Sequence, residues 1–176
     1  MSLVRHVLPA PAPIGALTLG VTDAGLALVA FGERPEEAAR AAARLDERLA
    51  DGDGGIAAAQ LTEYLAGRRR VFEIPLDWRL TAGSQRTVLQ ALYDTVPFGA
   101  TVTYGELAAR SGLGRAHTAA RGVGSIMGSN PLPVVVPCHR VLGSDGLGGF
   151  GGGRATKEWL LALEGVLTPA LDLWPG

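Results

Sequence analysis

Residues 103–127, Thr-Tyr-Gly-Glu-Leu-Ala-Ala-Arg-Ser-Gly-Leu-Gly-Arg-Ala-His-Thr-Ala-Ala-Arg-Gly-Val-Gly-Ser-Ile-Met, decide the fold of the second half of this 176-residue chain. Thr103 followed three residues later by Glu106 is a capping box, in which each side chain satisfies the other residue's otherwise unpaired N–H. It predicts a helix over Tyr104–Arg110. Gly112-Leu113-Gly114 turns the chain, and a second helix is expected over Arg115–Met127. Two short helices joined by a glycine-containing turn form a helix-turn-helix pattern. Just upstream, Ser84 reads as an N-cap for a helix whose Val88, Leu89, Leu92 and Val96 share one face, ended by Pro97-Phe98-Gly99.

The second predicted helix is rich in small residues: Ala116, Ala119, Ala120, Gly122, Gly124 and Ser125. Each interior glycine costs a helix about 1 kcal/mol, so a compensating reason is required. Close helix–helix packing is one. A face that enters a nucleic-acid groove, with Arg121 projecting from it, is the other. Tyr104 reads either as a core aromatic or as a hydroxyl donor in a pocket.

Downstream of Asn130-Pro131 comes Val134-Val135-Val136-Pro137-Cys138-His139-Arg140-Val141-Leu142. The β-branched run predicts a buried strand, stopped by Pro137, which has no N–H to give to a ladder. A thiol then stands at a strand end beside an imidazole. A thiol attacks as thiolate, and a neighbouring base or cation promotes that form. A glycine-rich loop follows through Gly153, without a phosphate-binding spacing, and a last helix is expected over Ala155–Leu163.

The first half reads as a small α+β unit. Ile14–Gly20 and Leu26–Phe31 form a hairpin, 36–49 and 56–65 helices, and 71–76 a further strand. The domain boundary is expected at 80/81, giving units 1–80 and 81–176. No apolar run approaches the roughly 18 residues that a membrane span needs, and residues 1–6 lack a signal-peptide core. One cysteine excludes an internal disulfide and the usual multi-cysteine zinc site. A free thiol suits a reducing cytoplasm. Net charge is −1, which argues against bulk attraction to nucleic acid. Residues 1–80 carry nine Arg against eleven Asp and Glu, a balance of −2, and residues 81–165 carry seven Arg and Lys against five Asp and Glu, a balance of +2.

Taken together, these segments resemble the O6-alkylguanine-DNA alkyltransferase (methylated-DNA–protein-cysteine methyltransferase) family. The resemblance rests on Pro137-Cys138-His139-Arg140, Asn130-Pro131, Ala120-Arg121-Gly122-Val123-Gly124, Thr103–Ala108, Gly149-Phe150-Gly151-Gly152 and Glu158–Gly165, over about residues 84–165. It implies an α+β protein with a ribonuclease H-like N-terminal domain and a mostly helical, winged-helix-like C-terminal domain. It implies a partner, double-stranded DNA carrying O6-alkylguanine, with O4-alkylthymine as a second lesion, and no cofactor, no metal and a monomeric state.

By the same resemblance, the alkylated base is flipped out and Cys138 takes its alkyl group irreversibly. His139, oriented by Glu164, deprotonates Cys138, and Tyr104 helps protonate the leaving guanine. Arg121 fills the gap in the base stack, with Ala120, Gly122, Asn130 and Arg140 on the DNA side. Val136, Tyr104, Phe150 and Gly151 line the pocket. Asn130 also ties the recognition helix to the cysteine segment. The chain departs from the family pattern in carrying Phe150 where a tyrosine is usual, and in a connection between Tyr104 and Arg121 about three residues longer. The alternative from another class is a non-catalytic binder of alkylated DNA. A weaker third is a cysteine hydrolase.

Overall fold

In the computed structural model, which describes residues 1–143 and 146–167, the chain divides between Ala82 and Gly83 into two units.

The first unit is built on a four-stranded sheet of β1 (Ser2–Pro9), β2 (Ala16–Thr22), β3 (Gly25–Phe31) and β4 (Arg48–Asp51), ordered β3-β2-β1-β4. β2 pairs antiparallel with both β1 and β3, while β4 runs parallel to β1. The β2–β3 hairpin needs glycine at its turn. Gly25 has φ 136°, and a Cβ there would run into the Pro75 carbonyl. Helix α1 (Pro35–Arg44) lays Ala38, Ala41 and Ala42 on the sheet beside Leu3, Ala27 and Leu28. Helix α2 (Gly55–Leu65) follows β4.

Two expectations change here. The helix expected over 36–49 stops at Arg44. Leu45 closes it, Asp46 takes φ 54°, and 48–51 becomes the parallel edge strand. The Ala-Arg-Glu composition that favours helix is overridden by pairing with β1, which is distant in sequence. The strand expected over 71–76 is reduced to a single bridge of Leu76 with Leu26. Pro75 has no N–H for a ladder, so only flanking groups pair: Leu26 N–H with the Pro75 carbonyl and Asp77 N–H with the Leu26 carbonyl.

The second unit packs α3 (Gly83–Thr95), α4 (Tyr104–Arg110), α5 (His117–Gly128) and α6 (Arg154–Leu163) around Val88, Leu89, Leu92, Leu107, Val123, Leu160 and Leu161. The capping box at Thr103 and Glu106 forms in both directions. Helices α4 and α5 pack together and are joined by an exposed turn over 111–116. Two short parallel strands, β5 (Val102–Thr103) and β6 (Val141–Leu142), tie the start of α4 to the segment after the cysteine. Among the described residues no helix is long and apolar enough to cross a membrane.

The strand expected over 134–136 is absent. Leu132–Val136 is a buried turn, and strand pairing begins only at Val141. Prolines at 131, 133 and 137 remove alternate donors from that stretch. Val134 sits at φ 74°, a left-handed conformation that β-branched residues ordinarily avoid. A buried apolar run announces burial, and here the burial is that of a loop.

Candidate active site

Cys138 opens a single 3-10 turn, Cys138–Arg140, directly after Pro137. All three side chains are buried. The turn sends consecutive residues to different partners, which an extended strand could not do on one face.

His139 is fully buried, and its Nε2 lies 2.8 Å from Glu164 Oε2. Glu164 stands at the end of α6 and also receives two bonds from Arg140, Nε to Oε1 at 2.8 Å and Nη2 to Oε2 at 2.9 Å. The Gly99 N–H approaches Oε1 at 3.5 Å. Burial alone would raise the Glu164 pKa, but the donors from His139 and Arg140 overcome it and hold the carboxyl at about 2. Glu164 is therefore ionised and has no proton to give, so the proton in the His139–Glu164 bond sits on Nε2. That tautomer leaves Nδ1 with its lone pair, buried and without a partner among the described residues. Desolvation lowers the His139 pKa, so the ring rests neutral with its acceptor open.

Burial pushes the Cys138 thiol up to about 11, opposed by a hydrogen bond from Asn130, the charge of Lys157 and backbone bonds. The resting thiol thus holds its proton, and a base is needed to remove it. Asn130 has its side-chain ends fixed. Nδ2 donates to the Val136 carbonyl at 3.0 Å, and Oδ1 accepts from Leu132 N–H at 2.9 Å. Asn130 thereby joins the end of α5 to the cysteine turn.

Three expected site residues have inward-facing partners. Arg140 was expected on the DNA side, but its guanidinium is buried, with its remaining Nη1 donating to the Val96 carbonyl at 2.7 Å just past α3. A buried bidentate ion pair is the stronger claim on an arginine than an exposed phosphate. Asn130 likewise spends its side chain inside the protein. Val136 is expected to line the pocket, but it is fully buried and its carbonyl accepts from Asn130 and from Cys138 N–H at 2.8 Å.

Tyr104 sits at the first position of α4, half-buried, with its hydroxyl against the glycine loop. Gly148 has φ 75°, and a Cβ there would lie 2.7 Å from that hydroxyl. Arg121 and Gly122 are exposed on α5, Ala120 is half-buried beside them, and Phe150 and Gly151 lie in the loop. A Cβ added at Gly122, Gly124 or Gly128 would meet nothing within 4 Å. Close packing within the chain therefore does not explain these glycines. The segment that carries this face holds no acidic side chain. No Asp or Glu occurs from Leu107 to Gly143, while Arg110, Arg115 and Arg121 are exposed.

Sequence reasoning missed Lys157. It is buried on α6, and its Nζ donates to the carbonyls of Val141 at 2.7 Å, Leu147, and Gly149 at 3.2 Å. Its signal was in plain view, since it is the single lysine among 16 Lys and Arg.

Residues 83–166 match the model of the 6-O-methylguanine DNA methyltransferase DNA binding domain, and residues 9–78 that of the same family's ribonuclease-like domain. The chain belongs to the 6-O-methylguanine DNA methyltransferase family. Within that family it is 44% identical over 161 residues to the methylated-DNA–protein-cysteine methyltransferase of Mycolicibacterium paratuberculosis, spanning 90% of this chain and 91% of that one. Over 85 residues it is 54% identical to the mouse methylated-DNA–protein-cysteine methyltransferase, 47% of this chain and 39% of the mouse one. Among solved structures it is similar to Mycobacterium tuberculosis OGT in complex with DNA, with a TM-score of 0.76, 36% identity and 92% of each chain covered. The family is one of transferases, and the chain keeps its cysteine. Both facts speak against the non-catalytic binder.

Proposed function

We propose that this chain repairs duplex DNA carrying O6-alkylguanine by transferring the alkyl group irreversibly onto Cys138. The observation that carries the reading is a lone buried thiol followed by an imidazole whose tautomer is fixed by Glu164 and whose Nδ1 is open. The order of events follows from that geometry. The thiol proton passes to His139 Nδ1, through solvent that enters with the substrate, and the imidazolium formed is offset by Glu164. Sulfur attacks the alkyl carbon in line, the S–C bond forms as the C–O6 bond breaks, and the electron pair leaves on guanine. Tyr104 supplies a proton or hydrogen bond to that leaving group. The product is a thioether with no route back, so each molecule reacts once.

The exposed α5 face suits the approach to DNA. Its glycines leave room for a groove wall, the exposed Arg110 on α4 and Arg115 in the turn before α5 meet phosphates, and Arg121 is long enough to occupy the space of an extruded base. Phe150 and Gly151 supply an apolar wall for the base. We assign the reaction to the cytoplasm, where a free thiol stays reduced. Titration with duplex bearing O6-methylguanine tests the reading. Repaired lesions should plateau at equivalence with protein, and binding without repair, or continued turnover, contradicts it.

A further inference from the structure

The turn between α4 and α5 carries an apolar side chain that the steps above leave unused. It is also where the chain is longer than the family pattern. Its backbone is held firmly. Ser111 closes α4, Gly112 follows at φ 79°, and the N–H groups of Gly112 and Leu113 return to the carbonyls of Ala109 at 3.1 Å and Ala108 at 2.9 Å. That pair of bonds is a Schellman closure, with Leu113 next after the left-handed glycine. Gly114, at φ 93°, then redirects the chain into α5.

Leu113 is therefore a lone side chain between two glycines, and a Cβ added at either glycine would meet nothing within 4 Å. A residue at this point of a Schellman closure ordinarily covers its apolar side chain on its own helix. Leu113 nevertheless remains 40% exposed, the one large apolar side chain that the described residues of the second unit leave so.

A single exposed leucine is ordinary on a protein surface, but this one is set among cations. Arg110 and Arg115 are exposed on either side of it, and no carboxylate occurs from Leu107 to Gly143. Helix α5 also starts at Ala116 with no side chain over its first N–H groups. Such a pattern fits a phosphate-lined duplex. An apolar protein groove would desolvate the arginines without pairing them. Arg121 lies about 6 Å along the α5 axis from His117, so the turn meets the duplex within a few base steps of Arg121.

We propose that Leu113 is an apolar wedge that enters the minor groove beside the lesion, partly unstacking a base step near the one that Arg121 fills and extending the DNA footprint beyond α5. The inference rests on the DNA-facing α5 of the proposed function. Apolar side chains used in this way part base steps and bend the duplex, at a cost repaid by the added contact. A wedge gains from being stiff before it binds. The Schellman closure fixes the Leu113 backbone in advance, so little further ordering is needed on insertion. The bare glycines on either side leave nothing to strike the groove wall.

The test is binding of the whole chain, in a Cys138→Ala background that does not consume the lesion, to a duplex bearing O6-methylguanine. Anisotropy reads affinity, and 2-aminopurine, which brightens when unstacked, is placed in turn at each flanking step. Leu113→Ala should weaken binding roughly tenfold without changing its salt dependence, because an apolar contact releases no counterions. It should also abolish brightening at one flanking step. Leu113→Met keeps an apolar side chain of similar length and should keep both signals. Arg115→Ala should instead reduce the salt slope by about one and retain the brightening of bound duplex.

Unchanged affinity in Leu113→Ala overturns the wedge, as does brightening that is absent beforehand or survives the substitution. Affinity lost together with a flatter salt slope also overturns it, since the turn would then have collapsed and taken Arg115 with it. Methyl transfer is read separately with Cys138 intact. Binding without transfer defeats the repair reading alone, and the wedge still stands or falls on affinity and brightening.

Discussion

Arg140 and Arg121 show how differently one residue type is used within a few turns of chain. Arg140 is buried in a bidentate pair with Glu164 and caps α3 through the Val96 carbonyl. Replacing it by methionine leaves Glu164 buried without its main partner, which typically costs about 3–5 kcal/mol. Chemical denaturation of Arg140→Met should show a loss of that order. Arg121 is exposed on α5. Arg121→Ala should leave stability unchanged and weaken repair of duplex far more than reaction with free O6-benzylguanine. Equal losses on both substrates would remove it from base flipping. From the sequence these two arginines differ only in setting. The resemblance put both on the DNA side, because burial of Arg140 depends on Glu164, 24 residues further along, and on the end of α3.

At the scale of elements, legibility followed how local the cause was. The capping box, α4, α5 and α6 are written in residues three or four apart, and each was recovered to within about two residues. The β1–β4 pairing was missed because its partners lie more than 40 residues apart. The Val134–Val136 run was read as strand because its composition records burial and says nothing of backbone shape. Cys138 and His139 stood out as an adjacent pair, and Glu164 entered through the family pattern. Lys157 went unnoticed in the sequence despite being the single lysine, because its partners are backbone carbonyls of Val141, Leu147 and Gly149 that carry no sequence signal. Helix α5 offers the clearest test at this scale. Gly122→Ala and Gly124→Ala meet open space, so each should stabilise the protein by about 0.5–1 kcal/mol. If the face is kept small for DNA, the double variant should nevertheless bind duplex more weakly, measured by fluorescence anisotropy. A stabler protein with undiminished affinity would return these glycines to structural neutrality.

For the molecule as a whole, two buried carboxylates set the response to acid. Glu164 in the second unit and Asp77 in the first, the latter held by Arg79 and Thr22, both sit at about 2 in the folded chain against burial that would raise them. Their folded pKa values are depressed, so their contribution is complete above the unfolded values, 4.5 for Glu164 and 3.8 for Asp77, and is lost as pH falls from there toward 2. Thermal melts between pH 7 and 3 should be flat down to about pH 5 and then fall steeply. Glu164→Gln should flatten the fall that the second unit contributes. A melting temperature insensitive to pH in that window would contradict the buried-carboxylate account.

Everything in the site converges on one sulfur atom accepting one alkyl group. The measurement that tests this most directly is intact-mass and peptide-mapping spectrometry after incubation with duplex DNA bearing O6-methylguanine. The expected result is a stoichiometric gain of one methyl group, located on Cys138 and absent from Cys138→Ala. A methyl found on any other residue, or lesion loss with no mass gain on the protein, would contradict it.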